Sequence, residues 1–267
     1  MSFINLRLDL FLIFRYEQEK SKVRTGMNET VHPRFFGRRK GRTIRKAKSF
    51  LLQNFLPKIK IDDTKMLDKQ TLFGGKTDEI HLEIGFGDGE HLAELARRHP
   101  NIGFIGVEVF QNGIANLLTL ITGVKEAADT NMSIAVSEGR ADNIRVYDDD
   151  MRLLFGVIPD GFFDKIYLLF PDPWPKKKHA DRRFVNQDNL KELSRILKPG
   201  GILEMATDHS VYKRQILRQM HQCPDFVWTA KTSNDWRLEP QDWVKTKYQR
   251  KAIREGRRPV FFEYQKI

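Results

Sequence analysis

Residues 167–184, YLLFPDPWPKKKHADRRF, bring together an acid between two prolines, an indole and a run of bases. Pro171 and Pro173 fix their own φ and restrict the residue before each, so Asp172 is presented on a stiff loop. Trp174 adds a flat face on which a planar ring can stack. Lys176, Lys177, Lys178, Arg182 and Arg183 follow as candidate phosphate contacts. A rigid carboxylate, an aromatic and a basic track suit a nucleobase gripped beside a nucleic-acid backbone.

A second cluster, HLEIGFGDGEHL at residues 81–92, sets Glu83 two positions before a turn carrying Gly85, Gly87 and Gly89. Glycines accept positive φ and let a ligand approach the backbone. A dinucleotide site requires G-x-G-x-x-G with a pyrophosphate on the helix N-terminus. In this sequence the third glycine comes one residue early and Glu90 follows it, which opposes a pyrophosphate. An acid at position 83 suits a cationic, amine-bearing ligand instead, and S-adenosylmethionine carries both an ammonium and a sulfonium. Glu108, at the end of GFIGVEVF, is placed to accept ribose hydroxyls. In Asp148-Asp149-Asp150, one carboxylate is placed for an adenine amino group, and local spacing does not choose among the three. Thr207 and Asp208 end another apolar run. Thr246-Lys247-Tyr248-Gln249 precedes a basic stretch closing on Arg257-Arg258.

The elements that must position these residues alternate. Strands are expected at Ile80–Gly85, Phe104–Val109, Asn143–Tyr147, Asp164–Phe170 and Gly201–Ala206, with helical periodicity near 89–98, 111–122, 184–197 and 210–221. That alternation implies a parallel sheet covered on both faces. Pro259–Tyr264 reads as a final strand with no helix after it. Residues 123–142 resist the scheme, since Met132–Val136 competes with Asn143–Tyr147 for the third strand; the latter is preferred because an acidic turn follows it.

Composition narrows the classes. The 267 residues include 46 Lys+Arg against 35 Asp+Glu, a net charge of +11 that suits a polyanionic partner. Eight of the bases lie in RFFGRRKGRTIRKAK, residues 34–48, which two glycines mark as a flexible arm. Cys223 is the only cysteine, which excludes an internal disulfide. Lying outside every motif, it reads as inert, against a cysteine adduct in the reaction. Seven scattered histidines form no ligand-spaced group, so no metal is expected. The apolar run Leu10–Phe14 is too short to span a bilayer. Residues 1–26 read either as an upstream extension before a start at Met27 or as a short helix packed on the domain.

With these residues assembled, the chain resembles the bacterial tRNA (guanine-N7-)-methyltransferases over roughly residues 34–267. FGRRKGR, LEIGFGDG, GVEV, FPDPWPKKKH, RRF, LKPGG, MATD and TKYQRKA carry the resemblance. It implies an α/β, Rossmann-like class I S-adenosylmethionine-dependent methyltransferase fold, with a seven-stranded, mostly parallel sheet and an antiparallel last strand. It also implies methyl transfer from S-adenosyl-L-methionine to N7 of a guanine in the tRNA variable loop. By motif, Glu83, Gly85, Gly87, Gly89, Glu108 and Asp150 correspond to the cofactor site and Asp172 to the catalytic acid. Asp150 is favoured over its two neighbours because it lies seven residues after Asn143. Lys176, Asp208, Thr246, Lys247, Tyr248 and Gln249 correspond to substrate contacts. The family pattern is Thr-x-x-Glu where this chain ends in Gln249, and the 123–142 stretch is longer than usual. The implied organisation is an N-terminal extension at 1–33 (disordered or mis-started), a basic RNA-binding arm and helix at 34–60, and the methyltransferase domain at 61–267. The implied enzyme is cytoplasmic, a monomer or weak homodimer that binds tRNA and no membrane. Methylation of an exocyclic amine, a nicotinamide-dependent oxidoreductase and an inactive RNA-binding protein remain as rivals.

Overall fold

A computed structural model describes residues 35–124 and 142–267. The strands are β1 (Glu79–Ile84), β2 (Ile102–Val107), β3 (Ile144–Tyr147), β4 (Phe163–Leu169), β5 (Leu197–Thr207), β6 (Phe226–Trp228) and β7 (Val260–Lys266). Helices of eight residues or more are α1 (Lys46–Asn54), α2 (Glu90–Arg98), α3 (Gln111–Thr122), α4 (Gln187–Ile196), α5 (Ser210–His221) and α6 (Lys247–Arg254).

The strands form one sheet in the order β3-β2-β1-β4-β5-β7-β6. β7 runs against both of its neighbours, as the family resemblance implied, and the other pairings are parallel, as the strand–helix alternation implied. Register sets Glu83 opposite Gly106 on one side and Tyr167 on the other, so the ends of β1, β2 and β4 reach the same edge. The chain leaves β1 toward β2 and later returns to β4 on the other flank. A crevice therefore opens at that edge, where open α/β sheets bind their ligands.

Alternation along the strands builds two cores. Ile80, Leu82 and Ile84 of β1 join Ile105, Leu168, Met205 and Phe262 on one face, packed under α4 and α5 through Leu190, Leu193, Tyr212 and Ile216. Phe104, Val146, Tyr167, Leu169 and Phe261 form the other, under α1, α2 and α3 through Leu51, Leu92, Leu95, Ile114 and Leu117. Each such buried side chain contributes about 1.5–3 kcal/mol. On this second face β1 presents His81 and Glu83, buried polar groups in the middle of an apolar layer. Polar groups placed so need partners, and their location marks the site.

The sequence differs from the structure in small ways. α4 stops at Ile196 and β5 begins at Leu197, earlier than the apolar pattern alone suggests. β6 is three residues long, too short for alternation to show. Asn143–Tyr147 supplies the third strand, while its competitor Met132–Val136, most of the 123–142 stretch and the 1–33 extension lie outside the described residues. The expected flexible arm is instead laid against the domain from Phe35 onward. Gln111 N–H donates to Arg39 O at 3.0 Å, Gly41 N–H to Asn112 Oδ1 at 2.8 Å, and Asn112 Nδ2 to Arg42 O at 2.8 Å. Arg39 also pairs with Asp149 at 2.7 Å. Extended backbone with unpaired N–H and C=O groups docks wherever side chains satisfy them, which composition does not reveal.

Candidate active site

The glycine turn takes left-handed backbone at Gly85, Gly87 and Gly89, with φ of 71°, 57° and 78°. A Cβ on Gly85 would meet nothing within 4 Å, so open space lies above it, whereas one on Gly87 would sit 2.8 Å from the Tyr248 ring. The turn is packed from behind by α3, because a Cβ on Gly113 would lie 2.2 Å from Gly87 O. Gly113 thus belongs to the site's framework, a role that its place inside an ordinary helical pattern does not reveal.

Glu108, just past β2, braces the same turn. Gly87 N–H donates to its Oε2 at 2.7 Å, and Val109 and Phe110 N–H donate to its Oε1 at 2.9 Å each. Burial pushes the Glu108 carboxyl pKa up, and the three N–H donors act against that shift. A carboxylate has about four acceptor positions, so one remains for a ligand hydroxyl.

Glu83 is 3% exposed, and buried His91 Nδ1 donates to its Oε2 at 2.9 Å. His91 opens α2, and the tight turn folds it back against the strand end. Strand-end acid and first-turn histidine are neighbours in any such strand-turn-helix, which is the signal that could have found it. His91 is also packed edge-on to Tyr167 and tilted against Trp243, with ring centroids 4.9 and 5.7 Å apart.

Each acid of the 148–150 triplet has its own basic partner. Lys60 pairs with Asp148, Arg39 with Asp149 and Arg152 with Asp150. Asp150 is the buried member and caps the short helix Met151–Leu154 by accepting from Arg152 N–H at 3.0 Å.

Asp172 follows β4 between two non-glycine residues in left-handed conformation, Phe170 at φ 51° and Trp174 at φ 40°. Such conformations cost roughly 1–3 kcal/mol each and persist only where the surroundings enforce them. Phe170 N–H donates to Ala206 O at 2.8 Å, and the Trp174 side of the loop is held by Arg183. Only 7% exposed, it donates to Pro173 O at 3.2 Å, Trp174 O at 2.9 Å and Gln215 Oε1 at 3.2 Å. This corrects the expectation of Arg183 as a phosphate contact, since its fork faces inward. Arg182 lies over the rings of Phe36 and Trp174, at 4.5 and 5.1 Å. Asp172 itself is exposed at its tip, and no described residue hydrogen-bonds to it. Crowding by the loop nevertheless raises its carboxyl pKa. Lys176, Lys177 and Lys178 are exposed, with no ion-pair partner among the described residues.

The segment 246–249 stands over the glycine turn. Thr246 caps α6 by accepting from Gln249 N–H at 3.1 Å. Lys247 N–H donates to Glu90 Oε2 at 2.6 Å, its ammonium to Asp88 Oδ2 at 2.7 Å, and Arg250 pairs with Glu90. Glu90 therefore ties α6 to the glycine turn while also lining the cleft. Thr246, Lys247 and Tyr248 line a narrow cleft together with Glu83, Gly85, Phe86 and Leu169. Asp208 is paired with Arg257. Among the described residues no three His, Cys, Asp or Glu side chains are grouped to hold a metal ion, and no helix is long and apolar enough to cross a membrane.

A family model described as a putative methyltransferase matches residues 77–261. The tRNA (guanine-N(7)-)-methyltransferase of Chelativorans sp. (strain BNC1) is 41% identical over 236 residues, covering 87% of this chain and 95% of the relative. That of Agrobacterium fabrum (strain C58) is 42% identical over 232 residues, covering 86% and 94%. The chain belongs to the tRNA (guanine-N7-)-methyltransferase family. Among solved structures, the 16S rRNA methyltransferase KamB is similar with a TM-score of 0.48 and 13% identity, covering 76% of this chain and 94% of that one.

Within this methyltransferase, the strand-end residues Glu83, Glu108, Asp150 and Asp172 gather at one sheet edge around the glycine turn. Lys176 and Asp208 follow the neighbouring strands. Gln249, expected among the substrate contacts, turns its side chain into the protein. It is 1% exposed, its Oε1 accepts from Trp243 Nε1 at 2.6 Å, and its Nε2 donates to Glu239 Oε1 at 2.8 Å. Both ends of the amide are thus engaged by protein. Cys223 is buried, and burial pushes its thiol pKa up, consistent with an inert side chain.

Proposed function

We propose that this enzyme transfers a methyl group from S-adenosyl-L-methionine to N7 of a guanine in the variable loop of tRNA, forming 7-methylguanosine. The observation that carries the reading is Asp172, an unpartnered carboxylate on an enforced loop beside the glycine turn. The pocket residues fit the donor. Gly85 leaves the backbone open to a ligand, and Glu83 has an oxygen beyond the one held by His91, suited to an ammonium. Glu108 would take the ribose and Asp150 the adenine side. When bound, the donor supplies an electrophilic methyl group.

Guanine N7 has an in-plane lone pair, so the protein need not remove a proton before attack. Its task is positioning, which contributes up to roughly 7–11 kcal/mol in favourable cases. Asp172 accepts hydrogen bonds from guanine N1–H and the exocyclic amine, and offsets the positive charge that develops on the base. Lys176 and Asp208 flank the base, and Lys247 and Tyr248 hold it from the side of α6. The unpaired bases Lys177 and Lys178, with Arg38, Lys40 and Arg42 of the docked segment, are the phosphate track. The enzyme works on tRNA in the cytoplasm.

Incubation with bulk tRNA and labelled methyl donor, followed by nucleoside analysis, tests the reading. Label in 7-methylguanosine is expected. Label on an exocyclic amine of guanine or adenine would replace it with the rival reaction.

A further inference from the structure

Gln249 stands where the family pattern has an acid, and its surroundings explain the change. An indole N–H only donates and a carboxylate only accepts. The side-chain amide can therefore lie between Trp243 and Glu239 in one orientation, with its oxygen toward the indole and its nitrogen toward the carboxylate. A glutamate at 249 would keep the bond from Trp243 but bring two carboxylates to about the 2.8 Å that now separates amide and acid. Lys245, 3.2 Å from Glu239, is half exposed and offsets little of that repulsion.

The contacts continue past the amide. Trp243 packs edge-on to Phe261 at 4.8 Å and against His91 at 5.7 Å, and His91 holds Glu83. On its other side Gln249 belongs to the first turn of α6, which sets Lys247 on Asp88 and Tyr248 over Gly87. One buried amide thus ties the acid that ends β1 to the segment that closes the cleft.

We propose that Gln249 is a positioning residue for the methyl-donor site, and that residues 239 and 249 form a complementary pair in which only one member can carry a negative charge. This rests on the reading of the glycine turn as the donor site. Gln249 touches no substrate; it fixes Lys247, Tyr248 and, through Trp243 and His91, Glu83. The pair keeps one donor-to-acceptor bond whichever of the two positions carries the acid.

The test uses the full-length enzyme and the variants Q249E, E239Q and E239Q/Q249E, with S-adenosyl-L-methionine titrated calorimetrically in the absence of RNA and kcat and KM measured with bulk tRNA. Q249E is expected to weaken donor binding and raise its KM about ten-fold, as contacting groups in one network couple at that scale. E239Q alone stays close to wild type, because the Gln249 amide can still donate to the new carbonyl. The double variant, with the bond reversed, returns donor affinity to within about two-fold of wild type. A double variant as weak as Q249E, or a Q249E variant that binds like wild type, overturns the coupling. If Q249E does not fold by circular dichroism, the double variant decides alone: wild-type donor affinity supports the pair, and a folded protein with weakened binding overturns it. A wild-type chain that binds no donor overturns the reading of the turn and this proposal with it.

Discussion

Asp172 has two properties that pull in opposite directions. The loop crowds its carboxyl group and raises its pKa, so the fold disfavours the ionised form that the proposed reaction uses. For a carboxyl raised in the folded state, the ionised form destabilises the fold at pH values above the shifted pKa. D172N is therefore expected to melt no lower than wild type at neutral pH while losing methyl transfer, measured by thermal denaturation and a labelled-donor assay. A variant that keeps transfer near the wild-type rate would remove Asp172 from the mechanism. The same shift sets the pH profile. As pH falls through the raised pKa, Asp172 takes up a proton and kcat/KM declines, at a higher pH than an ordinary carboxylate would give. D172A should retain tRNA binding in a filter assay, because the exposed bases and not this acid meet the phosphates.

At the level of elements, the loop after β4 depends on a side chain that it does not contain. Arg183 donates to Pro173 and Trp174 carbonyls and to Gln215 of α5, and those bonds hold the loop at left-handed Trp174, after the PDP triplet. R183M keeps the aliphatic stem and removes the donors, leaving buried acceptors unpaired. A stability loss of about 2 kcal/mol is expected from the loss of charge-assisted bonds, read as a lowered denaturation midpoint. kcat should fall more than donor affinity, since the loop presents Asp172 and not the donor's acids. Equal losses in both would show that Arg183 supports the whole edge of the sheet instead of this loop. α2 and α6 are tied comparably, through Glu90 to Lys247 and Arg250. E90Q is expected to loosen α6 and raise the KM for the donor, which steady-state kinetics would show.

Across the whole molecule, the net charge of +11 is unevenly available. Arg39, Lys60, Arg152, Arg183, Lys247, Arg250 and Arg257 already face carboxylates or carbonyls of the protein. Arg38, Lys40, Arg42 and Lys176–Lys178 have no such partner among the described residues and are free to meet RNA. Replacing Arg38, Lys40 and Arg42 by alanine should weaken tRNA binding and make its salt dependence shallower, by about 0.7–0.9 in log–log slope for each phosphate that is no longer neutralised. Replacing Arg39 instead should act through Asp149 and the docking of the segment, with a smaller change in slope. Identical slopes for the two sets would show that the docked segment does not follow the phosphate track.

What the linear order of residues determined was the strand–turn–helix alternation, the glycine turn, the acids Glu83, Glu108 and Asp172 at strand ends, and the Asp148–Asp150 triplet, within which only the family resemblance chose Asp150. These are local patterns: period-two burial, positive-φ glycines and prolines act over a few neighbours, so they can be read without folding the chain. The parallel sheet with its reversed β7 followed from the same alternation together with the family resemblance. What only the tertiary structure decided was which charges are partnered. Arg183 turned from the phosphates to the loop, the basic segment docked through Arg39, Gln249 was enclosed by Trp243 and Glu239, and His91 was set on Glu83. Charge and hydrogen-bond energies depend on distances of a few ångströms and on burial, and for groups remote in the chain both come into being only when the sheet and its helices close around them.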